Sequence, residues 1–248
     1  MFVFVLAALV GLSLGLLGAG GSILAVPILR YAAGLSAKQA VATSLATVGA
    51  VSFVGAVVAW RQGRLRLKTA LVFTVLASLG TLAGARVAQL LNDQAQMLIF
   101  VAVLVGAALA LARRSRASVS ISESPARQKP SFLPALGVGA LTGLVGVGGG
   151  FLIVPALMTI YTMPISVATG TSLGVIAINS AFGFLTYSQA IPIDHVFALK
   201  FAGASVMGLL LGIFSGRKLS EQATSQIFLV AMLFTGAFTI WQELFALR

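Results

Sequence analysis

Residues 15–29, GLLGAGGSILAVPIL, recur as residues 143–157, GLVGVGGGFLIVPAL, with most of the glycines and the Val-Pro pair in the same places. The same offset of 128 residues aligns residues 14–110 with residues 142–238 without an insertion or deletion. Further identities at this offset are Thr43-Ser44-Leu45 with Thr171-Ser172-Leu173, Gly80 with Gly208, Gly84 with Gly212, and Gln94-Ala95 with Gln222-Ala223. Such self-similarity indicates two tandem copies of one structural unit.

The composition points to a lipid environment. Of 248 residues, 59% are hydrophobic and only 8% are charged, which leaves too few polar side chains to cover a soluble surface. Uncharged runs occupy residues 2–29, 39–60, 69–85, 95–112, 132–193, 201–216 and 222–242. Most of them approach or exceed the ~20 residues that cross a bilayer as a helix. The run at 132–193 must hold two segments, turning near Tyr161 to Pro164, so we predict eight hydrophobic segments, four in each half.

The predicted fold is an all-α integral membrane protein of two tandem homologous repeats. Each repeat contains a broken or re-entrant Gly-rich helical segment plus three transmembrane helices. The first membrane repeat covers residues 1–112 and the second covers residues 132–248. Residues 113–131 between them are polar, Ser-rich and basic, as expected of a flexible linker.

The charged residues exclude several classes of function. The net charge of +11 comes from 16 Lys and Arg residues lying mainly in short stretches between apolar runs, where basic residues set membrane orientation. We therefore expect the lipid bilayer, and no nucleic acid, as a partner. The chain has no cysteine, one histidine and five acidic residues, which offer little for metal binding or acid–base chemistry. We predict neither an enzyme nor a cofactor.

The Gly-rich segments, Gly18 to Ser22 and Gly146 to Gly150, are predicted to interrupt their helices, because each glycine weakens a helix by ~1 kcal/mol. A break at membrane depth is tolerated only where it is buried in protein or lines a cavity. The helix that resumes after the break would direct its N-terminal NH groups at that cavity, which suits an anion. The alternative is that these glycines only allow close helix packing, the role that we expect for Gly80 and Gly84 and their repeats.

Hydroxyl and amide side chains near the breaks complete the predicted site. They can donate to an anion without adding charge, although Ser and Thr also bond their own helix backbone and Asn also joins helices. The predicted substrate-binding residues are Gly20, Gly21, Ser22, Thr43, Ser44, Gly148, Gly149, Gly150, Thr171, Ser172 and Asn179.

The paired GxGG[SG]-x3-VP and TSL elements resemble those of the sulfite exporter TauE/SafE family, also called the toluene sulfonate uptake permeases. The resemblance covers essentially the whole chain. It implies transport of sulfur-containing or organic anions such as sulfite, sulfonates and sulfoacetate. We also predict a multi-pass protein of the plasma (bacterial inner) membrane, with the basic residues placing residues 113–131 in the cytoplasm. A second copy of the chain is an open option as partner, and the coupling ion is unknown.

Two topologies compete. If residues 2–33 cross the membrane once, there are eight crossings and the repeats are parallel; if they form a re-entrant hairpin, each repeat crosses three times and the repeats are inverted. Inverted repeats carry opposite charge bias at matching loops. Arg61, Arg64, Arg66 and Lys68 match Gln189, Pro192, Asp194 and Val196, which favours inversion. The stretch with Arg30 and Lys38 has no charged counterpart and argues against it.

These features predict a transporter that works by alternating access around a site near the bilayer midplane, between the Gly-rich breaks and the TSL elements. The alternatives are an anion channel, or a non-transporting membrane scaffold or assembly factor whose polar residues join helices. A polar cavity at the motifs would favour transport, and a dry, tightly packed interior would favour the scaffold.

Overall fold

The computed structural model describes residues 2–17, 22–116, 132–145, 150–161, 163–215 and 221–246, and their regular secondary structure is entirely helical. The helices are α1 (Phe2–Leu17), α2 (Ala25–Pro27) continued by a π-helix (Ile28–Ala32), α3 (Ala37–Arg61), α4 (Leu67–Leu90), α5 (Asp93–Arg116), α6 (Phe132–Val145), α7 (Gly150–Ile160), α8 (Ile165–Ser188), α9 (His195–Ser215) and α10 (Glu221–Ala246).

Four described helices are long and apolar enough to cross a membrane: Ala37–Arg61, Leu67–Leu90, Ser166–Ser188 and His195–Ser215. At ~1.5 Å per residue, such helices of 21 to 25 residues match a hydrocarbon core of ~30 Å. Large apolar side chains such as Phe53, Leu79 and Phe214 are exposed on their outer faces. The chain is therefore a multi-pass integral membrane protein.

Most residues of the two predicted breaks, 18–21 and 146–149, lie outside the described residues. α1 ends at Leu17 before the first Gly-rich segment, and a helical turn resumes at Ser22. α6 ends at Val145 and α7 begins at Gly150, on either side of the second segment. The turn predicted near residues 161–164 separates α7 from α8. α5 continues to Arg116, four residues into the predicted linker.

Two helix pairs connect the halves of the chain. α1 packs along α9, and α6 packs along α4. Gly208 lies against the backbone of Ala8, and Gly80 lies against the backbone of Leu136; these two contacts differ by the repeat offset of 128 residues. One turn later, the matching contacts are Gly212 with Leu12 and Gly84 with Ala140. Residue numbers rise together, so both pairs are parallel.

The third large contact joins α3 to α8. Its closest approaches are Leu45 with Gly183, Gly49 with Ser180, and Leu173 with Gly55. As the residue number increases along α3, the number of the contacting residue on α8 decreases, so the two helices are antiparallel. Their contacts centre near Ala50 and Ile178. α4 also packs on α8, α3 packs on α9, and α5 packs on α10. The pair α3 and α8 therefore lies at the centre of the bundle.

We expect Gly139→Ala to destabilise the protein and Gly137→Ala, on the same helix, to leave it equally or more stable. A Cβ at residue 139 would overlap the backbone of Ala77 on α4, whereas one at residue 137 would meet nothing within 4 Å. Overpacking costs about 1–3 kcal/mol, while replacing an unconstrained helical glycine stabilises by up to ~1 kcal/mol. Thermal unfolding in detergent measures the difference. Equal melting temperatures would contradict the close approach of α4 and α6.

Candidate functional site

Short helical segments follow both Gly-rich stretches of the sequence. Ser22 is fully buried at the start of the first short segment, residues 22–32. Gly150 is the first residue of α7. Four predicted site residues, Gly20, Gly21, Gly148 and Gly149, lie outside the described residues.

The two TSL elements are buried but lie far from each other. Thr43 and Ser44 lie on α3, and Thr171 and Ser172 lie on α8. Each element is six residues from the point where the antiparallel helices α3 and α8 meet, so they are separated by ~18 Å along the helix direction. The structure therefore does not bring the two elements together around one small ion.

The hydroxyls of these elements differ in their partners. Thr171 Oγ1 accepts a hydrogen bond of 3.1 Å from the backbone NH of Arg66, in the loop between α3 and α4. Ser172 Oγ donates to the carbonyl of Thr169 at 2.7 Å, within its own helix. Ser44 Oγ is buried without a hydrogen-bond partner. Of these three, Ser44 is the hydroxyl left for another partner.

Asn179 lies near the middle of α8 and is fully buried. Its Oδ1 accepts a hydrogen bond of 2.9 Å from Ser78 Oγ on α4, while its Nδ2 has no partner. The side chain therefore joins two helices and still keeps donor capacity, so it combines both roles considered for it.

Other unpartnered groups lie on the same central helices. The buried side chains of α3, α4 and α8 that have a polar atom without a hydrogen-bond partner are Ser44, Thr47, Ser52, Thr74, Asn179 and Ser180. Every buried polar side chain within the described ranges is uncharged, and those ranges hold no group of three or more metal-ligating His, Asp or Glu residues. The interior thus offers neutral donors, which can bind an anion without a fixed counter-charge.

A hydrogen-bond network that sequence reasoning missed holds the end of α6. Gln96 Nε2 donates to the carbonyl of Leu144 at 3.1 Å and to Tyr187 Oη at 3.0 Å. Tyr187 Oη donates to the carbonyl of Gly143 at 3.3 Å. The last carbonyls of a helix have no partner within it, so this network stabilises the end of α6 just before the second Gly-rich segment.

An ion pair also joins the first short segment, residues 22–32, to the start of α5. Asp93 Oδ2 accepts a hydrogen bond of 3.0 Å from the NH of Ala37 and lies 3.5 Å from Arg30 Nη1 in an ion pair. Lys38 Nζ donates to the carbonyl of Gln89 at 2.9 Å. Arg30 therefore has a structural partner at the start of α5, and Lys38 has one at the end of α4.

Two grooves bounded by described residues are almost entirely apolar. One, of about 510 Å³, runs between α3 and α8 and is lined mainly by side chains such as Phe53, Phe182 and Leu185. The other, also about 510 Å³, lies between α1, the first short segment and α10, where Tyr31 and Phe238 contribute. None of the predicted site residues lines either groove, and lipid is the solvent that suits such surfaces.

We expect Tyr187→Phe to lower the free energy of unfolding by ~1–2 kcal/mol, because the carbonyl of Gly143 and one NH of Gln96 lose their partner. Amide hydrogen exchange should rise at the end of α6. The matched control is Ser188→Ala, whose hydroxyl bonds only the carbonyl of Leu185 in its own helix. If the two variants unfold and exchange alike, Tyr187 does not hold the end of α6.

Comparison with known proteins agrees with this architecture. A family model described as "Sulfite exporter TauE/SafE" matches residues 3–239. A "Probable membrane transporter protein" of Xylella fastidiosa (strain Temecula1 / ATCC 700964) is 31% identical, with 95% of this chain and 92% of that protein covered. The "Probable membrane transporter protein YunE" of Bacillus subtilis is 25% identical, with 98% and 99% covered. No solved structure matches significantly. The chain belongs to the TauE/SafE sulfite exporter family of membrane transporters.

Proposed function

We propose that this protein carries small sulfur-containing or organic anions, such as sulfite, sulfonates or sulfoacetate, across the plasma membrane by alternating access. The observation that carries the proposal is the set of buried, uncharged and unpartnered donors on α3, α4 and α8. A donor without a partner is costly in a membrane interior. Polar residues retained there are characteristic of substrate pathways.

Neutral donors suit transport rather than permanent binding. A carrier must hold its substrate firmly enough to select it and weakly enough to release it on the other side. Hydroxyl and amide groups form charge-assisted hydrogen bonds to an anion without the strong attraction of a buried Lys or Arg. The same moderate binding strength would suit an anion channel. Membership of a transporter family favours a carrier or a channel over a non-transporting scaffold.

The packing directions support inverted repeats. Helices α3 and α8 occupy equivalent positions in the two repeats and are antiparallel, with contacts that recur at the 128-residue offset. A twofold axis that relates two antiparallel helices is perpendicular to them, so for membrane-spanning helices it lies in the membrane plane. Repeats related by such an axis have inverted topology.

The same directions support a re-entrant hairpin in the first repeat. α1 runs parallel to α9, α9 follows α8 after a short connection at residues 189–194, and α8 is antiparallel to α3. α1 and α3 therefore run the same way, so the chain must return between them. Residues 22–32 span only ~16 Å as a helix, about half of a bilayer core.

The packing of helices from opposite halves of the sequence also suggests which helices move together. α1 with α9, and α6 with α4, touch through glycines with no space for a side chain, so each pair behaves as one rigid unit. Alternating access is then a movement of the pair α1–α9 and the pair α6–α4 around the central helices α3 and α8.

Reporter fusions test the inverted topology. We expect both chain ends to lie outside the cytoplasm, while the loop from Arg61 to Lys68 and the linker at residues 113–131 lie inside it, because basic loops stay on the cytoplasmic side. Alkaline phosphatase and fluorescent protein fusions at each end report the side directly. Two cytoplasmic ends would rule out the inverted model.

Anion selectivity tests the proposed substrate class. We expect sulfite or a small sulfonate to bind the purified protein at least ~10-fold more tightly than chloride, because each additional hydrogen bond to a charged partner contributes ~1.5–3 kcal/mol. Calorimetry measures the affinities, and uptake into proteoliposomes shows whether transport saturates, as it should for a carrier. Equal affinity for chloride would contradict an oxyanion site.

A further inference from the structure

Three buried polar side chains lie at mid-depth on the adjacent helices α4 and α8: Thr74, Ser78 and Asn179. Ser78 is the twelfth of 24 residues in α4, and Asn179 is the fifteenth of 24 in α8. Thr74 precedes Ser78 by four residues and therefore lies on the same face of α4. The three side chains are at most 6% exposed.

This group has donors that the protein itself does not use. Ser78 Oγ is bonded to the Asn179 amide, and Thr74 Oγ1 and Asn179 Nδ2 have no partner. Exchanging Oδ1 and Nδ2 of Asn179 still leaves an N–H without an acceptor. The amide has two N–H groups, and the single hydroxyl of Ser78 accepts only one of them. At least one buried N–H of Asn179 therefore lacks an acceptor in either orientation.

The other repeat provides an internal comparison. The 128-residue offset places Ala202, Val206 and Val51 at the positions of Thr74, Ser78 and Asn179. Those residues belong to α9 and α3, which pack against each other as α4 and α8 do. At these three positions the two equivalent interfaces therefore differ, since one carries polar residues and the other carries apolar ones. Helix packing alone does not need the polar residues, because the apolar interface packs without them.

We infer that Thr74, Ser78 and Asn179 form a single anion site per chain at the α4–α8 interface, suited to three-oxygen anions such as sulfite and sulfonates. This inference rests on the proposed function and specifies where the substrate binds. The Thr74 O–H and the two N–H groups of Asn179 supply three donors, while the Ser78 hydroxyl holds the amide in place. Three donors match the three oxygens of a sulfonate better than the two of a carboxylate. The donors are neutral, so an aliphatic cation has no reason to bind there.

The substitutions that test the site are those found at the equivalent positions of the other repeat, with isosteric Val for Thr. Asn179→Val and Thr74→Val should each weaken binding of methanesulfonate to the purified full chain by about tenfold or more, because a donor to a charged ligand is lost. The matched control is Ser205→Ala on α9, whose hydroxyl is bonded to the carbonyl of Phe201 in its own helix. Its affinity for methanesulfonate should equal that of the wild type.

Calorimetry with methanesulfonate, sulfite and acetate, combined with thermal unfolding, separates the outcomes. The site predicts weaker binding by both variants and a preference of the wild type for methanesulfonate over acetate. For Thr74→Val, which removes only an unpartnered hydroxyl, the melting temperature should be unchanged or higher. A lower melting temperature with unchanged affinity would make these residues structural and overturn the inference. Thr74→Val is the decisive variant if Asn179→Val fails to fold.

The wild-type measurements distinguish this inference from the proposed function. If the wild type binds no sulfite, sulfonate or carboxylate, the proposed function fails. If the wild type binds methanesulfonate and both Val variants bind it as tightly as the Ser205→Ala control does, the site is elsewhere and only the inference fails.

Discussion

Two close helix contacts between opposite halves of the sequence, α1 on α9 and α6 on α4, are the constraint on which the rest of the structure depends. In lipid there is little hydrophobic force between helices, so association relies on close van der Waals packing at small residues. Gly80 and Gly208 provide it at equivalent positions, where each meets backbone atoms directly. These contacts fasten the first helix of each half onto the other half, and they set the direction in which α1 and α6 run.

Once these directions are set, the short helical segments follow from chain connectivity. In the proposed inverted topology, the chain turns back after α1 and after α6, in stretches that include the Gly-rich segments. The polar side chains near these stretches differ between the two halves. Gln96 and Tyr187 bind the last carbonyls of α6, whereas Ala59 and Thr224 stand at the positions that match Tyr187 and Gln96 in the other half.

Sequence reasoning succeeded where information is local or repeated. Repeated small residues predicted the close packing at Gly84 and Gly212, and the stretch from Tyr161 to Pro164 predicted the turn between α7 and α8. It placed the two TSL elements around one site because both were repeated, but the register of α3 against α8 is a tertiary property that separates them. Gln96 and Tyr187 were missed because they meet across 91 residues and have no repeat partners to draw attention to them.

A repeat protein with one small substrate faces a geometric restriction. A twofold axis can relate two helices, but a pyramidal SO3 group does not itself have twofold symmetry, so an asymmetric set of binding residues suits it. A difference between the repeats at equivalent buried positions can supply such a set. Asn179 with its repeat partner Val51 is such a difference. Because Asn179 lies near mid-depth, a substrate bound there could be opened to either side of the membrane, as alternating access requires.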